Sequence, residues 1–420
     1  MRIPAAIFFI AAVLLCAYNV SVCPPHGWRP YFPVEPNHLI APPECICNET
    51  ENTSAPPCVP PIPAESAAAR LYSPEGYDPG HLALMPDHRL SPLTKWIQGF
   101  IHRHQHPATC DRVLISDGHL SGFGSEMHVI GAHLAYAIQH NYVLVLSPNT
   151  CAHFRAPHAC ADGCACMLRP ISNCSVNDDP ATPRIQGEQR MQDQLADAFV
   201  AALQAEFPSM TMPQIKYWWR GQSAAYLMRF NDDTLRVLRA LRHNQTLHYA
   251  TRALRPNRTV HYATPFPLPA NTIAVHIRGG DKHIEMPLVP AQAYAAAVFQ
   301  LVDLMPHAFS RTVFVSGDDP QSIDEARRLI EARHMAFIYT RMPRLAGGHR
   351  MSDWRAAPDE SEGSFYAHLL QLLMALEADA WVGTRGSNWN RLIDELRCVW
   401  VDKCQGVYVE VGLMPEAYSW

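Results

Sequence analysis

Twice in this chain an almost wholly apolar run is followed by a turn, a stretch with apolar residues at helical spacing, and a second apolar run. The first unit reads RVLIS, DGHLSGFGSEMH, VIGAHLAYAIQH and YVLVLSP from Arg112 onward. The second reads RTVFVSG, DDP, QSIDEARRLIEARH and AFIYT from Arg311 onward. Two strands joined by a helix lie parallel, because the crossover has to return over one face of the sheet. Strands of a parallel sheet are covered on both faces and so lose the polar alternation of an exposed sheet. This fixes the class as α/β, and the 420-residue length allows two such domains.

Between the two units lies IAVHIRGGDKHIEMP, Ile273 to Pro287, a strand-like run that Gly279 and Gly280 end. Only 17% of the chain is charged, yet His276, Arg278, Asp281, Lys282, His283 and Glu285 fall within ten residues. A planar guanidinium at Arg278 suits two parallel hydrogen bonds to phosphate oxygens, and Lys282 adds a point charge beside it. The plainer reading is a solvated loop with an Asp281, Lys282 and Glu285 surface cluster. Asp318 and Asp319 follow the strand of the second unit, where they could hold a metal or a ligand hydroxyl, although Asp319 is also a good helix cap before Pro320. Further on, ADAWVGTRGSNWNRLIDELR reads as strand, loop and helix. Ser387 and Asn388 stand at that helix start, where backbone N–H groups and the helix dipole favour an anion. Capping alone is the competing account of Ser387. In the first unit Gly122, Phe123 and Gly124 form a turn at a strand's carboxyl edge, the usual place for a site, but without the third glycine of a dinucleotide fingerprint. Trp218 and Trp219 suit either a groove or the core.

The net charge of −5 gives no electrostatic case for nucleic acid. Residues Ala5 to Cys23 form an apolar run about long enough to span a bilayer, read as an uncleaved type II anchor or a signal peptide. Residues 24–66 carry repeated prolines and read as an extended stem. The remaining boundaries expected are 67–265 for an N-terminal α/β domain and 266–420 for a C-terminal Rossmann-like one. Thirteen cysteines fit an oxidising compartment. Cys151, Cys160, Cys164, Cys166 and Cys174 lie near His153 and His158, but they lack paired zinc knuckles and are expected to form disulfides. Cys398 and Cys404 are another candidate pair. Sequons at Asn48, Asn52, Asn173, Asn244 and Asn257 agree with a lumenal chain.

VHIRGGDK, VFVSGDDP and ADAWVGTRGSNWNRLIDELR together resemble the three ordered motifs of the fucosyltransferase superfamily. SGFGSEMHVIGAHLAYAI and WWRGQSAAYLMR resemble the glycine-rich loop and the tryptophan pair of its α1,6 branch. The resemblance implies a GT-B fold, two Rossmann-like domains facing a cleft behind the membrane anchor and stem. It implies GDP-fucose as donor, a glycan or glycoprotein as acceptor, inversion at the anomeric carbon, and no essential metal or other cofactor. The catalytic set would be Arg278 on the diphosphate, Lys282 as its helper and Glu285 as base. The donor-binding set would be His276, Arg278, Asp281, Asp318, Asp319, Ser387 and Asn388. The acceptor or cleft set would be Gly122, Phe123, Gly124, Trp218 and Trp219. A Golgi membrane location with a lumenal catalytic domain is expected, ahead of the endoplasmic reticulum or secretion. The chain departs from the α1,6 branch at Gly279, where a second arginine is usual. It departs again at Glu285, one residue nearer Lys282 than the usual acid, and near Gln371, where an acid is thought to read guanine. Two alternatives stay open: a catalytically impaired lumenal sugar-nucleotide or glycan-binding module, and a protein O-fucosyltransferase.

Overall fold

The computed structural model describes residues 90–119, 121–151, 163–176, 179–187, 195–244, 246–249, 260–263, 267–340 and 358–412. The candidate anchor and stem, His153, His158, Cys160 and the sequons at Asn48, Asn52 and Asn257 lie outside them. Among the described residues no helix is long and apolar enough to cross a membrane.

The first half opens with helix α1 (Pro92–Gln105), whose start is set by the Ser91 hydroxyl accepting the Thr94 N–H and by Pro92. Strand β1 (Val113–Ser116), helix α2 (Phe123–Gln139) and strand β2 (Val143–Leu146) make the expected crossover unit. Strands β1 and β2 pair in parallel, and β3 (Arg184–Ile185) joins β1 on its other edge. Helix α2 takes in Phe123, Gly124, Ser125, Glu126, Met127 and His128, which the sequence assigned to the turn. Phe123 and Met127 at helical spacing bury themselves in the core and extend the helix back to Gly122. Helices α3 (Asp197–Glu206), α4 (Met212–Leu227) and α5 (Asp232–Asn244) follow, then an antiparallel pair, β4 (Thr246–Tyr249) and β5 (Val260–Ala263).

The second half is a five-stranded, wholly parallel sheet: β6 (Ile273–Ile277), β7 (Thr312–Gly317), β8 (Ala336–Tyr339), β9 (Ala380–Gly383) and β10 (Val407–Glu410). Its spatial order is β10-β9-β6-β7-β8. Helices α6 (Ala291–Leu304), α7 (Pro320–Ala332), α8 (Pro358–Glu377) and α9 (Asn388–Val399) cross between the strands. Alternation along the strands sorts the two faces. Ile273, Val275, Ile277, Val313 and Val315 pack in one cluster with Tyr294 and Val298 of α6 and Ile323 and Ile330 of α7. Ala274, Phe314, Ile338 and Trp381 point the other way, into a cluster with Leu372 and Leu376 of α8 and Leu392 and Leu396 of α9. That second cluster also contains Leu134 of α2 and Trp218 and Tyr226 of α4, so one continuous core runs through both halves. Strand β10 was absent from the sequence reading; it covers the free edge of β9.

Disulfides Cys110–Cys174, Cys151–Cys164 and Cys398–Cys404 are formed, and Cys166 is disulfide-bonded as well. Sulfurs bonded in this way are not zinc thiolates, and the cysteine-rich stretch is therefore a stapled insertion.

Candidate functional site

In a doubly wound sheet the chain reverses its winding once. Between the two neighbouring strands at that point, crossovers leave to opposite faces and a crevice opens at the carboxyl ends. Here those strands are β6 and β9, paired through Ala274 with Trp381 and Val275 with Val382. Arg278 follows the end of β6, and the Thr384–Ser387 turn follows the end of β9 beside it.

Strands β6 and β7 run in register, with His276 opposite Ser316 and Ile277 opposite Gly317. One step further the same register brings Arg278 to Asp318, and the guanidinium and carboxylate form an ion pair. Asp318 also accepts the Gly279 N–H at 2.7 Å. Gly279 and Gly280 then turn the chain into a short 3-10 segment, Gly280–Ile284, with Gly280 at φ +56°. That is a left-handed conformation suited to glycine. Lys282 is buried, and its ammonium pairs with Glu285, whose side chain is 56% exposed. Met286 turns back and packs so closely on Gly386 that a Cβ there would lie 2.6 Å from its sulfur. The Lys282–Met286 turn and the Thr384–Ser387 turn are therefore in contact. Asp281 belongs to the same 3-10 segment.

The other wall is the start of α9. Ser387 occupies the N-cap position, but its hydroxyl makes no capping hydrogen bond. It is also buried. The first-turn N–H groups of a helix have no acceptor within the helix, so this turn presents donors and a partial positive charge. Arg385, by contrast, is turned away. Burial works against its charge, yet Asp394 at 2.9 Å, together with Tyr408 and Glu410, holds its pKa above the ordinary range. Burial works to raise Asp394 too, but Arg385 and Arg397 hold it low. Glu410 accepts the Arg385 backbone N–H at 2.9 Å, which fixes the turn, and burial pushes its pKa up to about 7.

His276 is buried on the α8 and α9 face of β6, 3.0 Å from the Ser316 hydroxyl, with its ring 6.3 Å from that of Trp389. Trp389 also meets His368 at 6.3 Å and Phe123 at 6.2 Å. This aromatic group floors the crevice, and Trp389, adjacent to Asn388 in the motif, was not singled out from the sequence.

Several expected contacts resolve as packing. Asp319 caps α7, accepting the Ser322 N–H at 2.8 Å and its hydroxyl at 2.6 Å. Its carboxylate is engaged there rather than turned toward a donor. Trp218 and Trp219 are 1% and 3% exposed, and Trp219 donates to the Gly131 carbonyl at 3.1 Å, so both fill the core instead of lining a groove. Large aromatic area at the crossing of α2 and α4 is worth more buried than wet. Phe123 is buried against Phe365 at 5.2 Å. Gly124 is a close-approach glycine, since a Cβ there would lie 2.9 Å from the Asn388 backbone. Gly122 has open space around it and is the N-cap of α2. Arg229 likewise donates to the Tyr226 and Pro170 carbonyls at 2.8 and 3.0 Å. Gln371 is buried and donates to Thr340 at the end of β8 at 2.5 Å.

No family model matches the chain and no curated protein matches it. Among solved structures it is similar to a NodZ alpha-1,6-fucosyltransferase soaked with GDP-fucose, at 13% identity over 68% of this chain and 93% of that one, TM-score 0.34. NodZ from Bradyrhizobium aligns at 12% identity over 69% and 94%, TM-score 0.36. POFUT1 in complex with GDP-fucose aligns at 11% identity over 73% and 99%, TM-score 0.38.

Proposed function

We propose that this chain is an inverting glycosyltransferase of GT-B type that moves fucose from GDP-fucose to a hydroxyl of a glycan or glycoprotein. One observation carries the reading: Arg278 and the Ser387 start of α9, the two anion-ready features of the sequence, leave the paired strands β6 and β9 at the switch point of one parallel sheet. The ordered sequence motifs supply the choice of fucose and of GDP.

In this reading the Arg278 guanidinium and the first turn of α9 hold the diphosphate, with Ser387 on a phosphate oxygen. Lys282 and Arg278 meet the charge that gathers on departing GDP, as positioned cations do. Glu285, held through its contact with Lys282 at the exposed rim, takes the acceptor proton. Attack by the acceptor oxygen on the anomeric carbon and loss of GDP then form one displacement, which inverts that carbon. The resemblance supports chemistry without an essential metal, the cationic side chains carrying the positive charge.

Gly279 supports a second reading, a sugar-nucleotide-binding module with impaired transfer. A Cβ at Gly279 would lie 2.8 Å from that of Asp319, so the second arginine of the α1,6 branch has no room here. The deciding experiment is GDP release from GDP-fucose, with other sugar nucleotides as controls, on a glycan array and on folded repeat domains. Transfer to glycans favours the α1,6-like reading, and transfer to folded domains favours a protein O-fucosyltransferase. GDP binding without transfer favours the binding module, and absence of both removes the donor assignment. We place the catalytic domain in the Golgi lumen behind a type II anchor at residues 1–23 and a stem at 24–66. Sensitivity of the lumenal part to protease in sealed Golgi vesicles would contradict that.

A further inference from the structure

One histidine joins the two halves through a contact that the motifs do not describe. His128 lies on α2, one turn after Ser125, and reaches α9 with both ring nitrogens. Nδ1 is 3.1 Å from Asn388 Oδ1, and Nε2 is 2.8 Å from Glu395 Oε2. Asn388 and Glu395, at i and i+7, share one face of α9.

The neighbours decide where the protons are. Arg391 Nη1, which can only donate, lies 3.1 Å from the same Asn388 oxygen. The Asn388 amide nitrogen donates to Ser125 Oγ at 2.5 Å. The atom facing His128 is therefore the oxygen, since a flipped amide would set N–H groups against Arg391. Glu395 is 2% exposed in its side chain, and Arg220 of α4 reaches its other oxygen at 2.8 Å. Burial works to raise its pKa, but His128 and Arg220 outweigh that and hold it below the ordinary range, so it is a carboxylate. Both imidazole nitrogens thus face acceptors, and a histidine donates from both only as the imidazolium.

We infer that His128 is a positioning residue for donor binding: with Nε2 on the buried Glu395 carboxylate and Nδ1 on Asn388 Oδ1, it fixes the first turn of α9 and with it the phosphate seat. This rests on the donor site proposed above. The buried carboxylate of Glu395 is the stronger partner and anchors the ring, while the Nδ1 contact is the one that reaches the first residue of α9. The charged groups facing the ring are Glu395 and Arg391 of α9 and Arg220 of α4; α2 itself contributes the Ser125 hydroxyl.

The test uses the full chain and GDP as probe. By calorimetry His128→Gln, whose single amide cannot reach both Asn388 and Glu395, is expected to weaken GDP binding roughly tenfold, the effect of one charge-assisted hydrogen bond. His128→Ala, which removes both contacts, is expected to bind at least as weakly. In ligand-free protein, hydrogen exchange of the amides at 387–391 is expected to rise in both variants while that of the β6 and β7 amides stays at the wild-type level, which a general loss of stability would not give. Wild-type affinity and wild-type protection at 387–391 in a folded variant, or a uniform rise in exchange over the sheet, overturns the inference; if His128→Ala does not fold, His128→Gln decides it. Failure of the wild type to bind GDP overturns the donor site, while the exchange measurement still decides whether His128 fixes α9.

Discussion

Arg278 and Asp318 meet as an ion pair because β6 and β7 run in register, and the same carboxylate holds the Gly279 N–H at 2.7 Å. Their side chains are 24% and 20% exposed, and a pair this open to water adds little to stability. Its effect is orientation: Asp318 aims the guanidinium and fixes the loop that follows. Arg278→Ala is expected to weaken GDP binding about 10- to 100-fold, the worth of a charged hydrogen-bonding group. Asp318→Asn keeps an acceptor for Gly279 and should lose about tenfold or less. Calorimetric titration with GDP checks both, and unchanged affinity in Arg278→Ala would remove the donor site.

Glu285→Gln separates binding from chemistry. The carboxylate stands at the exposed rim on Lys282, so its amide should leave GDP affinity as it was. Turnover with GDP-fucose should fall by about 10²- to 10⁴-fold if the group takes the acceptor proton. A full turnover rate in this variant would assign the base elsewhere.

Gly279→Ala should destabilise the fold by about 1–3 kcal/mol, the ordinary cost of overpacking. The new methyl would meet the Asp319 Cβ at 2.8 Å, and that atom is pinned by its capping role. Asp319→Gly removes the obstacle at the loss of a side-chain cap, which costs only about a few tenths of a kcal/mol when glycine takes the N-cap position. In a denaturant-melting cycle the double variant should therefore be more stable than the sum of the two singles. Simple additivity would show that the two residues do not compete for space.

Glu410 predicts a pH effect of definite sign. Burial raises its pKa from the usual 4.5 to about 7 in the folded protein. Between those values the folded state keeps a proton that the unfolded chain has lost, so stability is full below about pH 4.5 and declines as pH rises to about 7. Glu410→Gln keeps an acceptor for the Arg385 N–H and cannot ionise. Its stability relative to wild type should climb across that window by at most roughly 3 kcal/mol and level off above it. Melting curves of the two proteins at several pH values test this, and a constant difference would contradict it.

The α/β class, both crossover units and the crevice loop were legible because parallel strands buried on both faces read as plain apolar runs, and IAVHI and TVFVSG are such runs. The position of Ser387 at a helix start was legible from local chemistry. That Ser387 makes no capping hydrogen bond while the Asp319 carboxylate does was not, since both residues carry the same capping signal in sequence. The burial of Trp218 and Trp219 was equally hidden: an aromatic pair on a helix has no mark that separates a groove from a crossing point. His128 was missed for a different reason. Its partners lie some 260 residues away on α9, and only their i, i+7 spacing on one helix face could have suggested a shared neighbour.

Helix α9 closes the five-stranded sheet on one side and on the other lies against α2 and α4, with Gly124 at the Asn388 backbone and Tyr217 donating to the Asp394 carbonyl at 3.0 Å. It is therefore common property. Cutting the chain at the expected boundary between residues 265 and 266 would not release two modules. The first part would lack the surface it closes upon, and the second would expose Leu392, Leu396 and the Glu395 carboxylate to water. The two halves cannot be exchanged for those of another protein one at a time, and any redesign has to be made in the loops, leaving the α2, α4 and α9 junction as it stands.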